Sequence, residues 1–316
     1  MKIQKVCVLG GTGFVGGHLV THLCNQGYAL RVLTRNRARH RFLLVMPKVE
    51  LIQVEDLGAA TLAAQLRGCD AVINLIGILN GAEQEFNAVH AELPQRLVEA
   101  CRESHVRRYL HMSALNADAE NGVSLYLRSK GLGEDAAHRG AAFGIEVTSF
   151  RPSVIFGPDD SLFNRFAGLL KFSWILPLAR AGARFAPVYV GDVVAAFAAA
   201  LGNPATAGQR YELCGPRVYT LKELAQYSAR LIGRRRWVIG LPDGLAKVQA
   251  RLFERLPGQL FTMDNFRSLQ LDNVCKSDGL AALDIVPKSV EGIMAQGFSG
   301  SAARARYGAY RKMVRR

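Results

Sequence analysis

A glycine-rich segment near the start of the chain constrains the fold more than any other feature. The segment is Gly10-Gly11-Thr12-Gly13-Phe14-Val15-Gly16. An apolar run at 6–9 precedes it, and apolar residues at helical spacing follow it, at Val15, Leu19 and Leu23. In a strand–loop–helix unit, glycines allow a tight turn close to a pyrophosphate, and the helix directs free N–H groups at the phosphates. The sequence therefore predicts that residues 10–16 bind a dinucleotide.

Apolar runs alternate with amphipathic stretches through the first half of the chain. Strands are predicted at 3–9, 29–34, 49–54, 70–76, 106–112 and 145–150. Helices are predicted at 14–26, 36–46, 59–67, 86–103 and 123–142. Repeated β-α units with nearly continuous apolar strands indicate a parallel sheet that is covered on both faces. The predicted fold class is therefore α/β, a doubly wound parallel Rossmann-type sheet.

The pattern changes after about residue 150, where prolines and loops become frequent. We expect residues 1–155 to form the dinucleotide-binding domain, with some later segments returning to it, and 156–316 to form mainly a smaller substrate lobe and a basic tail. Strands are predicted in the lobe at 210–214 and 237–239. Helices are predicted at 193–201, 221–231, 242–255, 262–270 and 288–297.

The chain carries a formal net charge of +14. Its cations cluster at 31–41, at 234–236 and in the tail 304–316. Nothing resembles a nucleic-acid-binding module, so the alternatives are a solvated basic surface and contact with anionic membrane. There is no predicted signal peptide or membrane-spanning segment. We expect a cytoplasmic protein, with peripheral contact at the inner face of the membrane as the alternative.

The six cysteines do not form a metal-binding or disulfide pattern. They are Cys7, Cys24, Cys69, Cys101, Cys214 and Cys275, mostly within apolar segments. Buried reduced thiols are therefore expected, rather than disulfides. His18 and His22 are spaced for one helix face, but no third ligand is suggested nearby, and we predict no metal site.

Two arginines follow the second predicted strand, where a dinucleotide fold meets the adenosine ribose. An acidic residue there favours NAD(H), but this chain has Arg35, with Arg37 close by. A guanidinium group matches a 2′-phosphate, which a carboxylate would repel. The sequence therefore favours NADP(H) over NAD(H); the alternative is that Arg35 only stacks on the adenine.

Tyr126 and Lys130 are spaced four residues apart, which places both on one face of a helix. A nearby ammonium group favours the phenolate, so Lys130 is expected to lower the pKa of Tyr126. Tyr126 then exchanges a proton with a substrate carbonyl or alcohol while hydride moves. Ser113, which ends the fifth strand, is expected to orient the substrate oxygen. The alternative is an exposed tyrosine and a solvated lysine.

Together these motifs resemble a short-chain dehydrogenase/reductase of the extended or atypical type, related to the epimerase/dehydratase enzymes. The resemblance implies that Ser113, Tyr126 and Lys130 are catalytic and that Asn87, in Phe86-Asn87-Ala88-Val89-His90, helps to order the site. It is also carried by Arg151–Pro158 and by Val190–Val194. It implies further cofactor contacts from Asp56, Leu57, Leu75, Ile76, Gly77, Pro152, Val154 and Ile155.

A narrower resemblance is carried by 111–115, 126–131 and 271–274. These segments are similar to bacterial relatives of the dehydrogenase-like accessory subunit of respiratory complex I. That group implies tightly held NADPH, a place near the membrane and a link to quinone biology. Two hypotheses follow: an oxidoreductase or epimerase-type enzyme for a small or lipophilic carbonyl compound, or a non-catalytic accessory protein. The apolar stretch 163–177 fits lipid contact as well as lobe packing, and the expected state is a monomer or homodimer.

Overall fold

The structure is a computed structural model that describes residues 3–255 and 261–294. Its strands are β1 Lys5–Leu9, β2 Ala29–Thr34, β3 Val49–Gln53, β4 Ala71–Asn74, β5 Arg108–Met112, β6 Glu146–Pro152, β7 Ile155–Phe156, β8 Ile175–Ala179, β9 Arg184–Phe185, β10 Val188–Tyr189, β11 Arg210–Leu213, β12 Tyr219–Thr220 and β13 Trp237–Leu241. Its α-helices are α1 Phe14–Asn25, α2 Arg41–Leu44, α3 Ala59–Leu66, α4 Glu83–Phe86, α5 Leu93–Ser104, α6 Leu125–His138, α7 Ser161–Phe172, α8 Val190–Leu201, α9 Leu221–Leu231, α10 Asp243–Glu254 and α11 Met263–Ser268.

A seven-stranded parallel sheet forms the centre of the molecule, in the order β11-β6-β5-β4-β1-β2-β3. All six strands predicted in the first half of the chain lie in it. The prediction was wrong for the strand at 210–214, which we assigned to the smaller lobe. It pairs instead with β6, and Arg210 lies opposite Ser149. The sequence of a short strand does not show whether it pairs with the edge of the central sheet or with a strand of the second lobe.

Helices cover both faces of this sheet, which confirms the doubly wound arrangement. On one face, apolar residues of α1 and α8 pack on β1, β2 and β4, with Leu19, Leu23 and Phe197 fully buried. On the other face, α3 and α5 pack on the same strands, with Leu62 and Leu97 fully buried. Continuous apolar strands are therefore explained by burial on both sides.

Two predicted helices are interrupted in the structure. The stretch 86–103 contains the end of α4, a π-helical segment at Asn87–Glu92 and then α5. The stretch 36–46 contains a 3₁₀ turn at Arg37–His40 and the four-residue α2. Apolar periodicity locates a helix but does not reveal a local change of its hydrogen-bond pattern.

The remaining elements form a second lobe with small apolar cores of its own. One core joins α7, α9 and the strands β8 and β13, through Phe166, Leu170 and Val238. Another packs Ala246 and Ala250 of α10 against Phe266 of α11. The predicted helix at 288–297 is helical over 290–294, and the rest lies outside the described residues. The basic tail 304–316 also lies outside them.

The cysteine prediction was wrong for one pair. Cys7, Cys24, Cys69 and Cys101 are free and buried, as expected. Cys214 and Cys275 form a disulfide although 61 residues separate them. The loop after α11 returns beside the end of β11 and brings their Cα atoms to 5.9 Å, a distance that a disulfide can span. Residues this far apart in the sequence give no local signal of such a contact.

Two further observations concern the described residues as a group. None of their helices has both the length and the apolar character needed to cross a membrane. Within the same residues, no cluster of three or more histidine, cysteine or acidic side chains is arranged to hold a metal ion.

Candidate functional site

The glycine loop at 10–16 joins β1 to α1 in a shape that only glycine permits at two positions. Gly10 has a φ of +76°, in the left-handed region, and its carbonyl accepts a hydrogen bond from the N–H of Gly13 at 3.0 Å. At Gly16, a Cβ would overlap the carbonyl oxygen of Gly10. Gly13 begins α1 without a side-chain cap, and the first turn has no acidic residue. The first N–H groups of α1 are therefore available to an anion.

The loops after β1 and β4 touch at the point where the strand order reverses. A Cβ on Gly10 would lie 3.0 Å from the carbonyl carbon of Leu75, and Leu75 N–H donates to the Leu9 carbonyl at 3.0 Å. Ile76 and Gly77 continue along the same edge of the sheet. A dinucleotide binds at this kind of switch point in doubly wound folds. The structure thus brings together the first and fourth strand ends that the sequence indicated.

The two arginines that follow β2 lie in a solvent-exposed segment. Arg35 and Arg37 are both exposed, and neither forms an ion pair within the described residues. Asp56 is exposed as well, and its Oδ1 accepts the Gly58 N–H at 2.6 Å, so this carboxylate closes its own turn beside the half-buried Leu57. The end of β2 therefore presents uncompensated positive charge.

The three polar residues Ser113, Tyr126 and Lys130 lie on two consecutive parts of the chain, Ser113 directly after β5 and the other two on α6. The Lys130 Nζ donates to the carbonyl oxygen of Met112 at 2.7 Å, which places Lys130 beside Ser113. Ser113 is buried, and its Oγ has no hydrogen-bond partner in the described structure. Tyr126 lies one turn before Lys130 on α6 and is partly buried. Because a buried hydroxyl without a partner costs free energy, Ser113 is suited to receive a ligand atom.

The pKa of Tyr126 departs from the sequence expectation. Burial raises it to about 12, whereas we expected Lys130 to lower it. Burial also lowers the pKa of Lys130 to about 8, against the attraction of Glu134. The ammonium group is directed at a backbone carbonyl. Desolvation therefore decides the pKa of both groups, and Tyr126 is a neutral phenol at pH 7.

His90 is a buried residue that the sequence reasoning did not select for the site. Its Nε2 accepts the Ile78 N–H at 3.0 Å, so Nδ1 carries the proton and donates to Ser129 Oγ at 2.8 Å. Ser129 Oγ in turn donates to the carbonyl of Tyr126 at 2.9 Å. Burial, followed by the charge of Lys130, lowers the pKa of His90 to about 3. Neutral His90 thus connects the loop after β4 to the helix that carries Tyr126.

The π-helical segment that includes His90 is packed directly against Tyr126. The rings of His90 and Tyr126 are 5.6 Å apart and nearly perpendicular, and Phe86 also contacts Tyr126 edge-on. Asn87 lies at the start of this segment and is half-buried. The sequence singled out Asn87, in the same segment, but gave no reason to choose His90.

A buried ion pair holds α6 against β6. Glu134 is fully buried, and Arg151 donates to both of its carboxylate oxygens, with Nε at 2.9 Å from Oε2. The pair fixes the helix of Tyr126 and Lys130 relative to the strand that leads into Pro152. The motif Arg151–Pro158 drew attention to this arginine, but nothing local identified Glu134 as its partner.

The second lobe closes over the start of α6. The carboxylate of Asp264, on α11, accepts the backbone N–H groups of Leu125 at 2.7 Å and Tyr126 at 3.0 Å. Ser268 Oγ donates to Ser124 Oγ at 2.8 Å. Asp264 thus caps the helix next to Tyr126 from a position 138 residues later in the chain.

Asn273 fixes the turn after β6, where Pro152, Val154 and Ile155 are predicted to contact a cofactor. Its Oδ1 accepts from Ser153 Oγ at 2.6 Å and from the Val154 N–H at 3.2 Å. Pro152 ends β6, and Ile155 begins β7, which pairs with β10. The disulfide of Cys275 lies two residues beyond Asn273, so the turn is tied to the sheet edge.

A cavity of about 660 Å³ opens on the outer side of the glycine loop. Thr12, Gly13 and Phe14 line it, together with His18 of α1 and Asp159. Its lining does not include Ser113, Tyr126 or Lys130.

The fold is that of a nucleotide-binding Rossmann protein, with Ser113 directly after β5 and with Tyr126 and Lys130 on α6. The uncapped α1, the glycine cradle and the unpartnered Ser113 Oγ fit a dinucleotide. The sequence model of the NAD dependent epimerase/dehydratase family matches residues 6–214. The chain therefore belongs to that family, and its fold is of the NAD(P)-binding Rossmann type.

Several characterised relatives resemble the chain over most of its length. It is 30% identical over 306 residues to the mitochondrial NADH dehydrogenase [ubiquinone] 1 alpha subcomplex subunit 9 of Arabidopsis thaliana, covering 90% of this chain and 75% of the relative. It is also 30% identical over 240 residues to the ceramide reductase of Caulobacter vibrioides, covering 75% of this chain and 74% of the relative. The resemblance to the accessory subunit is thereby confirmed.

Solved structures share the fold at low sequence identity. MoeE5 in complex with UDP-glucose and NAD superposes with a TM-score of 0.74 at 18% identity, covering 95% of this chain and 99% of that chain. The UDP-glucose 4-epimerase of Thermotoga maritima has a TM-score of 0.77 at 15% identity, covering 96% and 100%. These likenesses confirm the α/β fold class.

Proposed function

We propose that the protein is an NADP(H)-dependent oxidoreductase that reduces the carbonyl group of a small or lipophilic compound. The observation that carries this proposal is the group of side chains beyond β5: Tyr126 and Lys130 on one helix face beside the buried, unpartnered Ser113 Oγ. Burial raises the pKa of Tyr126 to about 12, so the phenol is protonated at neutral pH, which is the form that donates a proton to a carbonyl oxygen.

Each residue has a distinct part in this chemistry. Bound NADPH would supply the hydride. Ser113 Oγ donates a hydrogen bond to the carbonyl oxygen and so holds it towards Tyr126. The carbonyl carbon receives the hydride, and its oxygen receives the phenolic proton, which yields the alcohol. Lys130 keeps positive charge close to the tyrosinate that remains, and the tyrosine then regains a proton from solvent.

The cofactor preference rests on the end of β2. Arg35 and Arg37 are exposed and form no ion pair within the described residues, so both are free to bind a 2′-phosphate. A lipophilic carbonyl substrate is supported by the similarity to a protein named as a ceramide reductase. The other predicted cofactor contacts, Asp56, Leu57, Leu75, Ile76, Gly77, Pro152, Val154 and Ile155, remain proposals.

A second candidate is a non-catalytic protein that holds NADP(H) and docks on a respiratory assembly. It is supported by the relatives named as complex I subunits, including one from Rattus norvegicus at 28% identity. We also propose a cytoplasmic location with peripheral contact at the inner face of the membrane, as a monomer or homodimer. We further propose that the dinucleotide-binding domain ends near residue 155 and that the basic tail at 304–316 takes part in the membrane contact.

The replacement Tyr126→Phe tests the chemical assignment. The purified protein is first denatured, and the released nucleotide is identified by mass spectrometry. NADPH oxidation is then followed with aliphatic ketones, long-chain ketones and quinones. We expect Tyr126→Phe to bind NADPH like the wild type and to lose about 10²–10⁴-fold in turnover, while Tyr211→Phe, on the far strand β11, retains the rate.

The outcomes separate the two candidates. Undiminished turnover in Tyr126→Phe would exclude the assigned role of Tyr126. If the wild-type protein holds NADPH that does not exchange with free nucleotide and that no carbonyl compound oxidises, the result would instead support the accessory protein.

A further inference from the structure

The second lobe has an exposed apolar sheet face. Strands β8 and β13 pair in parallel, with Ile175 opposite Trp237 and Leu176 opposite Val238. Because alternate side chains of a strand point to opposite faces, Leu176 and Val238 enter the core with α7 and α9. Ile175, Trp237 and Ile239 are on the other face, and all three are exposed. Farther along the two strands, Ala179 and the partly buried Leu241 on this face pack with α10. Within the described residues, the uncovered part of the face is therefore the end that carries Ile175, Trp237 and Ile239.

The apolar character extends beyond the two strands. Phe172 and Trp174 connect α7 to β8 and are 91% and 70% exposed, and Trp237 is 74% exposed. Helix α10 lies against β8, where Gln249 donates to the Pro177 carbonyl at 3.1 Å. Its residues 245, 248 and 252 are exposed apolar side chains at helical spacing. We call segments 171–177, 234–239 and 245–252 together the aromatic–cationic face.

Cations surround the aromatic groups of this face. Three consecutive arginines, 234–236, precede Trp237, and the guanidinium of Arg236 lies 4.4 Å from the ring centre of Trp174. Lys171, Lys247 and Arg251 are exposed in the flanking helices. Segments 171–177 and 234–254 contain two acidic residues, Asp243, which is paired with Arg180 at 3.2 Å, and Glu254. The face is therefore both apolar and positively charged.

We propose that the aromatic–cationic face docks on a bilayer that contains anionic phospholipid. This proposal rests on the peripheral membrane contact suggested above and assigns it a surface and a lipid class. Indole rings favour the boundary between lipid headgroups and acyl chains, and exposed aliphatic side chains enter the same layer. Each arginine or lysine near an anionic surface strengthens binding by roughly fivefold. An anionic bilayer offers acyl chains to the apolar side chains of the face and negatively charged headgroups to its arginines and lysines.

The two tryptophans make the test specific. The whole chain contains only Trp174 and Trp237, and both belong to the face. The full-length protein is mixed with phosphatidylcholine vesicles that contain or lack phosphatidylglycerol, at about 0.1 M salt, where charges act over about 10 Å. We expect the protein to sediment with the anionic vesicles, its tryptophan emission to shift to shorter wavelength, and brominated acyl chains to quench that emission.

Two pairs of variants identify the contributing groups. Arg234→Glu with Arg235→Glu should weaken vesicle binding by at least about tenfold. The equal charge change Arg107→Glu with Arg139→Glu, on the sheet domain, should alter it by less than about twofold. Phe172→Ser with Ile239→Ser should reduce the emission shift. Val45→Ser with Val286→Ser, both highly exposed elsewhere, serves as its matched control.

Several results would overturn the proposal. One is vesicle binding without any change in tryptophan emission, which would mean attachment through another part of the chain. Another is unaltered binding in Arg234→Glu with Arg235→Glu. A third is a wild-type protein that does not bind vesicles and forms a dimer that Phe172→Ser with Ile239→Ser dissociates. A second copy of the chain, not a bilayer, would then cover the aromatic–cationic face. NADPH affinity, measured on the same variants, should stay constant, so failed lipid binding leaves the hydride-transfer proposal standing.

Discussion

The two ends of the proposed cofactor cleft differ in their physical construction. At the adenosine end, Arg35 and Arg37 are exposed and form no ion pair within the described residues. At the nicotinamide end, Ser113, Lys130 and His90 are buried, and their neighbours hold the last two by hydrogen bonds. Exposed charge selects a ligand through an attraction that salt screens, whereas burial changes the pKa of the groups that carry out chemistry.

The difference also concerns how each end is held in place. Residues after β2 depend on their own loop, as when the Asn36 side chain accepts the Arg39 N–H. Residues of α6 depend on three other parts of the chain, through His90, Arg151 and Asp264. We therefore expect mutations around α6 to affect folding as well as activity, and mutations after β2 to affect binding alone.

The largest expected effect is on the buried ion pair. Arg151→Met leaves the carboxylate of Glu134 buried without its main partner and should lower the free energy of unfolding by about 3–5 kcal/mol. Arg210→Met removes a more exposed arginine that lies 3.7 Å from the same carboxylate, and should cost less than about 1 kcal/mol. Urea unfolding of both variants measures the difference; equal losses would contradict a special role for Arg151.

The next effect concerns acid stability. Unfolded histidine takes up a proton near pH 6.5, but folded His90 does so only at about pH 3, so stability falls as the pH drops through this window. At pH 4 the contribution of His90 to this loss is about 3 kcal/mol. His90→Gln should lose less stability between pH 7 and pH 4 than the wild type. His138 remains in both proteins and cancels, and exposed His105→Asn is the control. Parallel pH profiles would disprove the assignment.

A smaller effect is expected at the exposed end. Arg35→Asp replaces a group that attracts a 2′-phosphate by one that repels it, and should raise the Kd for NADPH by about 10–100-fold, equivalent to about 1.4–2.7 kcal/mol. The Kd for NADH should change much less. Arg39→Asp makes the same charge change two positions after Arg37 and should alter NADPH affinity only slightly. Fluorescence titration measures all three proteins, and an equal effect on NADH would contradict 2′-phosphate recognition.

The smallest effect is expected at the contact between the lobes. Asp264→Ala removes the acceptor of the Leu125 and Tyr126 N–H groups and should cost about 1 kcal/mol, as the loss of a helix cap does. Hydrogen exchange should accelerate at these two amides. Asp135→Ala, in the last turn of the same helix, should leave them protected. Unchanged exchange in Asp264→Ala would show that α11 does not hold the start of α6.

The first half of the fold was predictable because its signals are local. Each strand of the first six is an apolar run, and the glycines of the loop at 10–16 report a backbone shape that other residues cannot adopt. The structure places Lys130 on α6 and Ser113 directly after β5, because helical spacing and the end of an apolar run are also local signals. Contacts made across long sequence separations were not predictable, such as Asp264 with α6 or Asn273 with the turn after β6.

The errors have a common physical origin. The pKa of Tyr126 was expected to fall because Lys130 is four residues away, but the spacing says nothing about desolvation, which raises it. The Cys214–Cys275 disulfide and the place of β11 in the central sheet depend on which segments of the second half return to the first. His90 was not selected, because its role depends on contacts with the loop after β4 and with α6, and α6 is remote in the sequence.

The sequence by itself determined the Rossmann-type class, the glycine loop at 10–16 and the elements that carry the arginines, Tyr126 and Lys130, because propensity and spacing act over a few residues. Only the tertiary structure decided which polar side chains are buried, which of them form hydrogen bonds or ion pairs, and in which direction their pKa values shift. It also decided that two distant tryptophans and three arginines share one exposed face. These properties depend on burial and on contacts between remote segments, which arise when the whole chain packs.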